Sequence, residues 1–297
     1  AYPVFSINSQ NNVTVRNFKI HNCQSHGVIF FGTNGGLIEN SEIYRAAMKD
    51  PPNSVGSGWP SLMKVQSIDE SATGLAHDII IRNNYIHEGY GECMGLRGSN
   101  IKVIGNHVKD CYSMGIYSNS DHTLVSDNFV ECTGNPEFNR AGIPMVGIGF
   151  AEEGFANWGA HGHDSQTVVR NTVIGCKHGV RYGSSTFNMG LANTEIAFNK
   201  LYNIKLAAIS ITHYASEQNV NIHDNDIGTG SVPTSTPPSN VNSSDLNTDG
   251  KVDIFDYNIL IGDFGKTGSN GFIPADIDNN GKVDIFDFNI LLGSFGK

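Results

Sequence analysis

One pattern constrains this chain more than any other: an apolar, mostly β-branched run that ends in Asn. It recurs eight times, as Val13-Thr14-Val15-Arg16-Asn17-Phe18, Leu37-Ile38-Glu39-Asn40, Ile79-Ile80-Ile81-Arg82-Asn83-Asn84, Val103-Ile104-Gly105-Asn106, Leu124-Val125-Ser126-Asp127-Asn128, Val168-Val169-Arg170-Asn171, Ile196-Ala197-Phe198-Asn199 and Ile222-His223-Asp224-Asn225. Asn84, Asn106 and Asn128 lie 22 residues apart, and Asn17 and Asn40 lie 23 apart. A period of that length holds about three short strands with their turns, so each copy reads as one rung of a solenoid. Asn suits the turn because it tolerates left-handed backbone, and its amide can bond the equivalent amide one rung away, forming a ladder.

A second strand lies between the copies, seen in Met94-Gly95-Leu96-Arg97, Met114-Gly115-Ile116-Tyr117, Gly147-Ile148-Gly149-Phe150 and Gly179-Val180-Arg181-Tyr182. Alternation points its leucine and isoleucine positions inward and its arginine and tyrosine positions outward. Two rungs are stretched, with 44 residues from Asn40 to Asn84 and 43 from Asn128 to Asn171. The extra residues, about 46–60, 69–76, 133–142 and 151–165, read as loops, which in solenoids cluster on one face and build binding sites. Periodicity stops after Ile227, and residues 228–244 (GTGSVPTSTPPSNVNSS) have the composition of a semi-extended linker.

Beyond the linker two segments repeat at a spacing of 31 residues. The first places Asp245, Asn247, Asp249, Asp253 and Asp256 at loop positions 1, 3, 5, 9 and 12, with Gly250 at position 6; the second places Asp276, Asp278, Asn280, Asp284 and Asp287 likewise, with Gly281. That is the EF-hand pattern of oxygen ligands, position 7 adding the carbonyls of Lys251 and Lys282, and it predicts two Ca²⁺ ions. Without a cation the crowded carboxylates repel by about 1 kcal/mol or more per close pair, so the module is expected to fold only when loaded. No helix precedes Asp245; helices are expected only after each loop, near 254–264 and 285–295. Millimolar Ca²⁺ is an extracellular condition, so the module argues for secretion.

The loop-helix duplication resembles a type I dockerin over about 244–297. That resemblance implies docking onto a cohesin-like domain through positions 10 and 11 of each loop, here Ile254-Phe255 and Ile285-Phe286. Identical pairs imply two docking orientations, and their apolar character also fits burial against another copy of the chain. Residues 1–227 resemble the superfamily of right-handed parallel β-helix proteins that includes polysaccharide lyases and glycoside hydrolases. The expected fold is therefore an all-β right-handed parallel β-helix of about eight rungs, then the linker, then a small α-helical Ca²⁺-binding module at 245–297.

In the enzymes of that superfamily one exposed strand face holds an extended sugar polymer. Rung alignment places Gln66, Arg97, Tyr117 and Arg181 on such a face. A lyase needs a cation to neutralise a uronate carboxylate and a base for the C5 proton; Arg97 or Arg181 fit the first role, and Tyr117, His87 or His161 the second. A hydrolase needs two carboxylates, for which Glu88, Glu92, Glu152, Glu153 and Asp164 are candidates. Outward Arg and Tyr also serve simply to cover apolar sheet with their stems and rings. Trp59 and Trp158, both in insertions, could stack on sugars or anchor their loops. His161-Gly162-His163-Asp164 carries ligand chemistry without a fixed geometry.

Composition narrows the classes further. With 19 Lys+Arg against 29 Asp+Glu the formal charge is -10, which repels phosphate backbones and argues against nucleic acid. The longest apolar runs fall far short of the roughly 20 residues of a membrane span, and any signal peptide is expected to have been removed. Five cysteines cannot all pair within one chain. Cys23, Cys111, Cys132 and Cys176 each follow a ladder Asn by four to six residues. They are expected to stack inward at one corner as small hydrophobes, with parallel Cβ vectors that disfavour a disulfide, and Cys93 is expected to be unpaired. No helical pattern precedes the first rung, so either the chain is a fragment or something else covers that edge; cover by another copy, or by the Ca²⁺ module of another copy, gives a second reading, a structural subunit of a filament or surface layer that needs no catalytic residues.

Overall fold

The computed structural model describes residues 2–48, 60–68, 74–140, 142–151, 164–183, 188–231, 244–246, 251–267, 273, 275–277 and 282–296. Eight turns of chain each give one strand to each of three parallel sheets, so the sheets have eight strands apiece. Sheet A comprises Phe5–Asn8, Val28–Phe31, Ser61–Gln66, Glu92–Arg97, Met114–Ser118, Val146–Phe150, His178–Tyr182 and Ala207–Ile211. Sheet B runs from Val13–Arg16 to Gln218–His223, and sheet C from Lys19–His21 to Asp226–Gly228. The turns are numbered here as rungs 1 to 8.

Register is set by inward columns of like residues. Ile43, Ile86, Val108, Val130, Val173 and Leu201 follow one another at successive rungs of sheet C, all fully buried. Slipping a strand by one residue would turn its apolar set outward, so each column locks its neighbours. Tyr182 belongs to an inward column with Phe150 and Ile211, a correction to the expectation that the tyrosine positions of this strand face out.

Between sheets B and C every rung turns in two residues. The second of these holds the amide ladder. Backbone N–H and side-chain Nδ2 of Asn84 both donate to Asn106 Oδ1 at 3.0 Å, and the arrangement repeats through Asn128, Asn171, Asn199 and Asn225. Asn17 and Asn40 are not members. They stand one place earlier, at φ 60° and 49°, and the ladder positions of rungs 1 and 2 are Phe18 and Ser41. Ser41 N–H donates to Asn84 Oδ1 at 3.0 Å, and Phe18 N–H donates to Ser41 Oγ at 3.2 Å. Both places of the turn favour Asn, one for its left-handed backbone and one for its amide, so counting Asn alone merged them.

The cysteine expectation is overturned. Cys93 bonds Cys111 and Cys132 bonds Cys176, with Cα atoms 5.5 and 4.9 Å apart, leaving Cys23 as the free thiol. Asp110 and Gly175, directly before Cys111 and Cys176, take positive φ, so the chain turns at this corner between sheets C and A and the cysteines do not form the uniform stack that equivalent strand positions would give. Closing a loop of 44 residues stabilises the coil by about 4 kcal/mol.

On the outer side of sheet C the rings of His21, Tyr44 and His87 stack in sequence, 5.0 and 4.9 Å between centroids. Tyr85 stacks on His87 at 4.0 Å, and Glu42 lies 3.2 Å from His87 Nε2. Burial pushes the His87 pKa below its usual 6.5, while Glu42 and Glu88 pull it upward.

Residues 238–297 form a separate compact unit, described by itself. Helices α1 (Ile254–Asp263) and α2 (Ile285–Ser294) stand where expected, each closed by an Asp capping box. A small core of Val252, Leu260, Ala275, Ile277, Val283 and Leu291 joins the two halves.

Two outcomes follow from this architecture. Asn106→Ala strips buried donors and acceptors of their partners and should cost about 3 kcal/mol in chemical denaturation, whereas Asn225→Ala, at the last rung where water reaches, should cost less than half that. The folded protein holds the His87 proton more weakly than the unfolded chain does, so this site's contribution is intact above about pH 6.5 and is lost as pH falls below it. His87→Phe keeps the ring stack and should flatten the decline in denaturation midpoint between pH 7 and 5.

Candidate functional site

The long connections gather beside one sheet. At the corner between sheets B and C no rung departs from two residues, while the long connections, residues 45–60, 67–76, 132–145, 151–166 and 183–191, all leave or enter sheet A. Sheet A is thus walled on both sides, as the sequence spacing leads one to expect. One described wall is pinned to its neighbours: Arg45 donates to Glu137 Oε1 at 2.7 Å, the Tyr90 hydroxyl donates to the same oxygen at 3.3 Å, and Phe138 is buried beneath.

The floor consists of outward columns. One runs Lys64, Gly95, Tyr117, Gly149, Arg181 and Ser210; beside it Gln66 pairs with Arg97. Gln66, Arg97, Tyr117 and Arg181 therefore do share the outer side of one sheet, but they stand in two adjacent columns. Arg97, Tyr117 and Glu92 are more than nine-tenths buried, whereas Arg181 is exposed. Glu92 starts its strand and turns its carboxylate over Gly95, where Ser61 Oγ donates to Oε2 at 2.8 Å. A Cβ at residue 95 would collide with both groups, so a larger residue there would displace the Glu92 carboxylate or the Ser61 hydroxyl.

Lys64 was not picked out by sequence reading. It occupies the same column as Tyr117, with only Gly95 between, and the alternation in Ser61–Gln66 that exposes Gln66 exposes Lys64 equally. Burial pushes its amine pKa down; Glu92 pulls the other way and Arg97 adds to the fall. The result is a compact set of Lys64, Glu92 and Arg97 whose charges act on one another. Arg181 stands apart, three rungs from Lys64's strand neighbour Gly95 on the open part of the floor.

Other candidates fall elsewhere. His87 and Glu88 are on sheet C, and Glu88 faces Arg45 at 3.6 Å, so neither reaches the floor. Asp164 lies at the corner between sheets A and B, accepting from Asn193 at 2.8 Å and Ser165 at 3.1 Å, which hold its carboxyl below the usual range. Glu152, Glu153, His161, His163, Trp59 and Trp158 lie outside the described residues. Among the described residues, Glu92 is the one acidic side chain on the strands of sheet A. The floor thus offers two arginines and a lysine against a single carboxylate, in a chain that is acidic as a whole.

In the C-terminal unit Asn247, Asp249, Asp278 and Asn280 also lie outside the described residues. Of the others, Asp256, Asp276 and Asp287 are fully buried. Asp256 accepts from the N–H groups of Leu246 at 2.7 Å and Asp253 at 2.8 Å, and Asp287 accepts from Asp284 at 2.8 Å. Among the described residues no three acidic, His or Cys side chains come together as a metal-binding group; Asp256 and Asp287 serve instead to cap their helices. The same helices leave Ile254, Phe255, Ile285 and Phe286 exposed, the two phenylalanines at 61% and 63%.

No curated protein sequence matches the chain. Among solved structures, the crystal structure of PfbA, a surface adhesin of Streptococcus pneumoniae, superposes with a TM-score of 0.50 at 14% identity, covering 75% of this chain. The match spans 62% of the PfbA chain, so less than two thirds of that protein is represented here. A second structure of the same Streptococcus pneumoniae surface protein and adhesin aligns at 13% identity with a TM-score of 0.44, over 75% of this chain and 66% of the other. Identities this low speak to fold alone. Residues 3–227, the whole three-sheet coil, match the family described as the right handed beta helix region, and the chain belongs to that family.

Proposed function

We propose that this is a secreted modular protein whose walled sheet A binds an extracellular polysaccharide, and whose C-terminal unit is a Ca²⁺-loaded, dockerin-like adaptor. The observation that carries the first half is the confinement of every long connection to the flanks of one sheet, with polar side chains gathered on the floor between them. Two disulfides suit an oxidising, extracellular compartment. PfbA is a surface adhesin built on a similar coil; that likeness is compatible with extracellular recognition, but the groove supports the reading and the fold does not.

The floor suits an anionic chain better than a neutral one. Arg97, Arg181 and Lys64 would receive carboxylates, and Lys64 or Tyr117 would take the proton. With one carboxylate on the described floor, elimination fits these residues better than two-carboxylate hydrolysis. In such an elimination a base removes the C5 proton, the C4–O bond breaks, and the leaving oxygen is protonated as the C4=C5 double bond forms. The buried carboxylates of the C-terminal unit support the second half, with Asp245, Asp256, Asp276 and Asp287 among the ligands and the carbonyls of Lys251 and Lys282 at position 7. Ca²⁺ would supply the charge that lets those groups sit together. The exposed Ile254-Phe255 and Ile285-Phe286 pairs then form the docking surface for a cohesin-like partner.

A panel of extracellular polysaccharides, assayed by binding and by the ultraviolet absorbance of unsaturated product, tests the groove. Arg181→Ala should weaken binding of an acidic polymer about tenfold, the loss of one charge-assisted hydrogen bond, while Arg16→Ala on sheet B leaves it unchanged. Equal binding by both variants would remove the groove from consideration. For the adaptor, calorimetric titration of chelator-treated full-length protein should find about two Ca²⁺ ions per chain and a rise in helical circular dichroism on binding. Asp256→Asn with Asp287→Asn should abolish both; a chain that takes up no Ca²⁺ refutes this half.

A further inference from the structure

Charge is unevenly spread along the coil. The chain as a whole carries -10, yet residues 165–216 hold Arg170, Lys177, Arg181, Lys200 and Lys205 against a single carboxylate, Glu195. Two of these cations face acidic groups: Arg170 pairs with Asp127 at 2.8 Å, and Lys200 lies in register with Asp226. Glu195 itself stands on sheet B, 3.3 Å from His223. Lys177, Arg181 and Lys205 remain, and among the described residues no carboxylate pairs with any of them.

The fold brings these three to one edge of sheet A. Lys177 directly precedes the strand His178–Tyr182, and Lys205 lies in the equivalent turn one rung on. The two turns stack on each other: Lys205 N–H donates to the Cys176 carbonyl at 2.9 Å, and Leu206 N–H donates to that of Lys177 at 2.9 Å. Arg181 is exposed on the outer side of the same strand. Its column neighbours are Gly149 and Ser210, too small to cover it.

His178 completes the group. The first residue of a sheet A strand turns to the outer side in rungs 4 to 6: a Cβ on Gly95 would meet Glu92, and one on Gly149 would meet Met114 and Val146. His178 holds that place in rung 7. Its Nδ1 is buried and has no hydrogen-bond partner among the described residues. Burial pushes its pKa below the usual 6.5, and Arg181 and Lys177 push it further, so both charges reach the ring. The Ala207 backbone pulls it up, and no carboxylate is among the groups that act on it. Cations gathered without a counter-charge repel one another, and an anion seated among them relieves that repulsion. The planar fork of Arg and the point charge of Lys both suit a group with several acceptor oxygens.

We propose that Lys177, His178, Arg181 and Lys205 bind an oxyanion, a sulfate, phosphate or carboxylate group, at the edge of sheet A where the chain arrives from sheet C. A small ion fills such a site by itself, so the proposal does not need the polysaccharide reading. Where that reading holds, Arg181 is common to both, and this edge takes an acidic group beyond the floor.

Nuclear magnetic resonance titration of the full chain with inorganic sulfate, at ionic strength held constant with chloride, reads the site through the His178 ring, assigned with His178→Gln. Sulfate should saturate one site and raise the His178 pKa by about one unit, the effect of one close opposite charge. Lys177→Gln with Lys205→Gln should weaken sulfate about tenfold or more at unchanged melting temperature, since each removes a charge-assisted hydrogen bond. Lys200→Gln should bind as wild type does. Displacement of the sulfate by dextran sulfate, but not by uncharged dextran, would assign the site to groups carried on a polymer. Displacement by inorganic phosphate alone would assign it to a free ion, and would leave the site standing even if every acidic polymer failed to bind. A His178 titration indifferent to sulfate overturns the proposal, as does sulfate binding retained by the double variant. A double variant whose melting temperature falls at low salt but not at high salt would show these lysines already paired with carboxylates of the chain, and would overturn it equally.

Discussion

No rung of this coil can bury its apolar face alone; each is stable only against the rung beside it, and everything else in the structure answers to that stacking. Inward residues must therefore match from turn to turn, and they do, as in the column from Ile43 to Leu201. Turns that carry the chain between sheets must also repeat, or the strands drift out of register. The corner between sheets B and C meets this demand most strictly, with a left-handed residue followed by a bonded Asn in rungs 3 to 8. Variation is pushed to the other corners, and both of those border sheet A.

That division of labour explains why a polar floor is tolerated. Glu92, Arg97 and Tyr117 stand on the outer side of sheet A and are nonetheless buried. Gly95 leaves the space in which Glu92 and Ser61 meet, and the neighbouring Lys64 feels Glu92 and Arg97 together. Charges held out of water in this way act on one another more strongly, because the field of each group is less screened than on an open surface. The C-terminal unit follows a different logic. It has a core of few side chains and three buried carboxylates, two of which close the capping boxes of its helices.

Much of the coil was legible in the chain because its signals are local and repeated. The β-branched runs, the 22-residue period and the insertions between rungs each leave a mark that one sequence shows. The two helices and their Asp caps were equally visible, since capping is a contact over three residues. What escaped depends on geometry between turns. The disulfides depend on the turn at Asp110 and Gly175 and on Cys93 lying in a strand of the neighbouring sheet, neither of which the Cys spacing shows. Lys64 escaped because its importance comes from Gly95 and Glu92 on the adjacent strand, and His87 was misplaced because a rung passes through three sheets and only one of them is the floor. Asn17 and Asn40 were assigned to a ladder that Phe18 and Ser41 in fact occupy, since the two places of the turn select the same residue for different reasons.

The central claim, that sheet A is the working face, is tested most directly by hydrogen–deuterium exchange on the intact protein with and without an acidic extracellular polysaccharide. The account predicts added protection in the strands 61–66, 92–97, 114–118 and 178–182 and in the connections beside them, with the turns between sheets B and C unchanged. Protection concentrated on sheets B or C, or no change anywhere across a panel of acidic and neutral polymers, would contradict it.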